Sequence, residues 1–186
     1  MKKKKRSKIH FSFLRSAKEC AYLAVFVATV ITTQLALSLI PGIELVSLLF
    51  ISYSFVMGGA RGVIAATAFS LLRQLVFGFY PTVLIVYLIY YNLLALCFGY
   101  LGKRLKNTKK DLPILLLFSC VATLFFSLLD CLITPLWYHY TAKALIAYCL
   151  ASLPFALTQT ACVAVSVLFL FKPLTKAFAW IKRNLR

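Results

Sequence analysis

Long apolar runs separated by short polar breaks dominate this chain. About 20 apolar residues suffice to cross a bilayer as a helix. The runs at 16–40, 45–57, 61–77, 81–101, 112–136 and 144–171 predict six such helices. Helix-interrupting residues mark their ends: Pro41-Gly42, the turn Gly58-Gly59-Ala60-Arg61-Gly62, Gly78 with Pro81, the basic segment 102–111 and the polar-aromatic loop 137–143. The second run, at about 13 residues, is thin for a full crossing, so a tilted or re-entrant piece is its alternative reading. No internal repeat is visible. The expected organisation is a basic tail (1–15), a six-helix transmembrane domain (16–171) and a second basic tail (172–186).

Composition agrees with this pattern. Of the 186 residues, 62% are hydrophobic and 13% charged, against about 25% charged in soluble domains. The fold class is therefore an all-α membrane protein whose solvent is the lipid bilayer. A net charge of +17 would ordinarily suggest nucleic acid, but no basic stripe with exposed aromatics exists, so no nucleic-acid partner is expected. The charge reports topology instead. With six spans, every basic residue except Arg73 and Lys143 falls on one side of the membrane, and the positive-inside rule makes both termini cytoplasmic. Five spans would split those clusters. The first apolar run is too long for a signal peptide and has no small-residue cleavage site, so it is expected to remain as a span. The six cysteines stand singly in apolar runs, which argues against a zinc site or a disulfide framework.

The charges inside the apolar runs need a reason. An ionisable side chain within a bilayer costs at least ~2.5–3.5 kcal/mol unless paired or hydrated. Arg73 lies roughly 18 Å from the cytoplasmic end of the third helix, and Asp130 roughly 27 Å from that of the fifth, by helical rise. Glu44 opens the second helix on the outer side. All three thus fall in the outer half, beside the loop carrying Trp137 and His139. Two readings follow: a polar pocket open to the outside, or an Arg73–Asp130 or Arg73–Glu44 ion pair that fixes helix packing. Tyr87 and Tyr91, four residues apart on one face of the fourth helix, are too deep for an interfacial aromatic belt. Pocket lining suits them better. Gln159 lies at mid-depth in the sixth helix, as pocket residue or interhelical hydrogen-bond partner. In the first helix, Ala17, Ala21, Ala24 and Ala28 form a smooth strip that permits close helix approach, within the bundle or by another membrane protein.

Enzyme motifs are missing. No nucleophile elbow, HExxH or Walker sequence occurs, and acids are too few for metal-dependent phosphoryl transfer. Neither a catalytic residue, nor a metal, nor a cofactor is expected, and the chain reads as a non-enzyme.

Six short spans, the alanine strip in AKECAYLAVFVA, the PGIE turn and the GGARG turn together resemble the S components of energy-coupling factor (ECF) transporters. The resemblance covers most of the chain, from about residue 16 to 171. It implies a multi-pass protein of a bacterial plasma membrane that captures a vitamin or similar small-molecule micronutrient from outside. It also implies partners, namely a transmembrane T protein and two ABC ATPases. On this resemblance the T protein docks on the alanine strip, in the Ala17/Ala21 or the Ala24/Ala28 register. The substrate site then draws on Glu44, Arg73, Tyr87, Tyr91, Asp130, Trp137, His139 and Gln159. The reading from a different class is a structural or assembly membrane protein whose charges serve packing alone.

Overall fold

The runs become helices for the reason bilayers allow little else: an apolar medium obliges each segment to satisfy its own backbone hydrogen bonds. The computed structural model describes residues 17–40, 43, 45–105 and 111–185. It is all helical: α1 (Ala17–Leu37), α2 (Val46–Met57), α3 (Gly59–Phe77), α4 (Pro81–Arg104), α5 (Leu112–Trp137) and α6 (Ala142–Asn184). Five are long and apolar enough to cross a membrane; α2 is not. The expected tail 1–15, the Pro41-Gly42 turn, Glu44, the basic residues of 106–110 and Arg186 lie outside the described residues.

At 12 residues, α2 measures about 18 Å, well short of a hydrocarbon core of about 30 Å. It is nevertheless the centre of the molecule. Val46, Ser47, Leu48, Phe50, Ile51, Ser52, Tyr53, Ser54 and Met57 are all buried, and α1, α3, α4 and α6 pack around it. Lipid therefore has little access to its ends. Its lower end turns directly into α3 through Gly58 alone, whose φ of 99° is open to glycine at little cost. Around that turn α4 approaches without side chains in the way. A methyl on Gly99 would overlap the backbone of Gly59, and one on Gly102 would overlap the carbonyl of Phe55.

The same end holds a buried ion pair: Arg61 Nη2 lies 2.7 Å from Glu19 Oε1 and joins α3 to the first turn of α1. The basic Arg61 of the turn thus has a structural partner besides its value as a topology marker.

Beyond residue 171, where the sequence suggested a tail, α6 continues as a helix to Asn184. The reason is amphipathicity. Leu174, Phe178, Ile181 and Leu185 follow a helical stripe and pack against the core, whereas Lys172, Lys176, Trp180 and Arg183 stay exposed. Phe178 meets Phe26 and Tyr53 edge to face, and Lys182 donates to the carbonyl of Val56 at the end of α2. The strip Ala17, Ala21, Ala24 and Ala28 faces away from the bundle and is exposed throughout. Packing within the chain's own bundle is therefore not its use.

A cleft above the short helix

Because α2 is short, the end of the molecule opposite the basic clusters is hollow. A cavity of about 310 Å³ sits over the N-terminal end of α2, lined among others by Leu45, Val46, Gln34, Arg73, Tyr87 and Gln159. A second, of about 400 Å³, lies between α5 and α6 and is lined by Ser127, Asp130, Tyr148 and Ser152. Phe126 and Gln159 belong to both walls, so the two are neighbouring halves of the cleft with those side chains between them. Beneath its lining rings, Tyr87 and Phe126, lies a cluster of tilted and edge-to-face rings. Tyr90 and Phe126 lie 4.9 Å apart, Tyr87 and Tyr91 5.2 Å, and Tyr91 and Phe50 4.8 Å, centroid to centroid. The α6 wall is thin: most of residues 142–155 are exposed, and Pro154 interrupts its hydrogen-bond ladder.

Arg73 reaches the cleft from the last third of α3. Its Nε donates to Gln34 Oε1 at 3.1 Å, and Gln34 Nε2 donates to the Tyr87 hydroxyl at 3.0 Å. The guanidinium carbon lies 4.6 Å from the Phe77 ring centroid and 4.7 Å from that of Tyr87, so cation–π contacts hold it on two sides. Its Nη1 is buried and finds no hydrogen-bond partner among the described residues. Among the described residues no side chain caps the start of α2 either. The partial positive charge of a helix N-terminus therefore adds to that of Arg73 in the same cavity.

Asp130 occupies the other half. Tyr148 donates to Oδ2 at 2.6 Å and Thr134 to Oδ1 at 2.9 Å. The carboxylate is held by hydroxyls and the guanidinium by an amide and two rings, so the Arg73–Asp130 ion pair entertained from the sequence does not form. One cleft thus carries a cationic and an anionic pole that are not spent on each other.

Of the residues singled out from the sequence, Arg73, Tyr87, Asp130 and Gln159 line the cleft. Tyr91 does not: it is fully buried one turn beneath, against Phe50, Phe69, Tyr87 and Tyr90. Trp137 and His139 are exposed at the α5–α6 connection and line neither half. Glu44 lies outside the described residues. Gln34 and Tyr148 are wall residues that sequence reasoning passed over. The signal for Gln34 was available, since a lone amide in an apolar helix raises the same question as Gln159.

No protein-family model, curated protein or solved structure matches this chain. What composition and fold establish is a multi-span, all-α membrane protein. Among the described residues no group of three or more His, Cys, Asp or Glu side chains could hold a metal ion.

Proposed function

We propose that this chain is the substrate-capture subunit, or S component, of an ECF-type importer in a bacterial plasma membrane. In that role it binds a vitamin-like micronutrient from outside and delivers it together with a T protein and two ABC ATPases. Its task is binding, with no covalent chemistry.

The observation that carries this reading is the cleft: two poles of opposite charge, left unpaired with each other, at the end of the bundle opposite the basic clusters. A protein using its charges for packing alone would join them, as Glu19 and Arg61 are joined at the other end. The ring-filled floor supports a receptor over a channel, because a ligand entering the cleft meets Tyr87 and Phe126, with Tyr90 packed against Phe126 behind them, instead of a path through. Inward release then requires movement of the whole subunit against partners. The exposed alanine strip of α1 offers a face on which a partner helix can approach closely.

The test is purification of the tagged protein from native membranes in mild detergent, with mass spectrometry of the proteins and small molecules retained. A T protein, two ATPases and one bound micronutrient are the expected yield. Recovery of the chain alone and empty, with Arg73→Ala and Asp130→Ala lowering stability but leaving uptake untouched, would favour the structural reading.

A further inference from the structure

We infer that the ligand of this cleft carries an acid group, a carboxylate or a phosphate, and that the acid sits on Arg73 at the N-terminal end of α2. The inference rests on the capture reading only in treating the cleft as a ligand site.

Three observations converge on that corner. The first is the guanidinium itself. Nε is occupied by Gln34, Phe77 and Tyr87 hold the plane, and Nη1 is buried without a partner. A half-buried cation left partly unanswered among apolar helices is costly, and a planar fork held in place is suited to a planar or tetrahedral oxyanion. The second is α2, whose first turn no described side chain caps and which borders the same cavity through Leu45 and Val46. Free N–H groups and the helix dipole at such an end favour an anion. The third is the placement of negative charge. Asp130, the acid of the described cleft, is in the other half and is already bonded to Tyr148 and Thr134. It does not compete for Arg73, and it repels an acid placed at its own end. The body of the ligand then lies over Phe126 toward Asp130, the one ring shared by both halves.

The experiment uses the full chain purified in detergent. The small molecules of a complex growth medium are divided on an anion exchanger, and thermal unfolding is followed by tryptophan fluorescence with each fraction. Phosphatidylglycerol micelles serve as a third probe. The retained, acidic fraction should raise the midpoint by roughly 5 °C, the size expected for a ligand well above its Kd, and the flow-through should not. Arg73→Gln should abolish that rise. Because Arg73→Gln removes a held side chain and can impair folding, Gln34→Glu is the second variant. It places a carboxylate against Nε where Gln34 Oε1 already accepts, neutralises the guanidinium from within, and should remove acid-dependent stabilisation from a folded protein. Lys103→Gln, exposed at the opposite end of the bundle, should leave the effect in place.

Stabilisation by the flow-through, stabilisation by the acidic fraction that persists in both Arg73→Gln and Gln34→Glu, or no response to any probe would each overturn the inference. An Arg73-dependent response to phosphatidylglycerol alone would keep the anion site and make a lipid headgroup its occupant. The two proposals fail separately. Acid-selective stabilisation without co-purified ATPases removes the importer, and co-purified ATPases with a neutral ligand remove the acid.

Discussion

Charged residues in a chain this apolar have different fates, and each makes a different prediction. Glu19 and Arg61 neutralise each other, with Glu19 only 8% exposed and Arg61 25%. Removing Glu19 takes the paired carboxylate from the half-buried Arg61, so Glu19→Ala should cost about 2 kcal/mol, below the range for a fully buried pair. The double variant Glu19→Ala with Arg61→Met should recover more than half of that, read by reversible unfolding in mixed micelles. Asp130 is held by hydroxyls instead. Tyr148→Phe removes one interhelical donor and should cost only about 1 kcal/mol, while altering ligand retention because Tyr148 lines the same wall. A stability loss in Tyr148→Phe as large as that in Glu19→Ala would mean that the Asp130 corner is a packing device. Helical rise alone placed Arg73 and Asp130 toward the same end of the bundle, where the cleft lies, since position along a helix is a local property. Their partners were not legible: Gln34 is 39 residues from Arg73 and Tyr148 is 18 from Asp130, and nothing in one chain's hydropathy says which faces of two helices meet.

At the level of elements, α2 and its turn organise the rest. The breaks at Gly58-Gly59 and Gly78–Pro81 were readable because glycine and proline act on their own backbone. The end of α6 was misjudged for the opposite reason. Lysines and arginines past residue 171 look like a solvated tail unless the stripe Leu174, Phe178, Ile181 is counted, and that stripe is meaningful only because α1 and α2 present Phe26 and Tyr53 to it. The glycines separate close approach from mere flexibility. A methyl on Gly99 meets the Gly59 backbone, which cannot step aside, whereas a methyl on Gly59 would be in ordinary contact at 3.4 Å from the carbonyl of Ala95. Gly99→Ala should therefore destabilise by about 2 kcal/mol or more, and Gly59→Ala by well under 1 kcal/mol. Equal effects in an unfolding titration would show that the α3–α4 contact is looser than described.

For the whole molecule, the decisive quantity is which end of the bundle faces out. The six helices alternate, so the α1–α3 ion pair, the α2–α3 turn and the C-terminal stretch of α6 share one end, and the cleft occupies the other. Lys103, Arg104, Lys172, Lys176 and Arg183 are exposed toward the first end and Lys143 stands near the second. This asymmetry is the signal the positive-inside rule reads, and it survives the shortness of α2, because α2 still carries the chain from the cleft to the basic end. Capture from outside therefore predicts a definite labelling pattern. In a background with the six native cysteines replaced, His139→Cys, at the α5–α6 connection, should react with a membrane-impermeant maleimide in intact cells. Lys103→Cys, near the end of α4, should react only after permeabilisation. Both positions are exposed, so failure to label reports sidedness and not burial. The reverse pattern would turn the cleft toward the cytoplasm, leave the fold and the anion site as they are, and exclude uptake from outside.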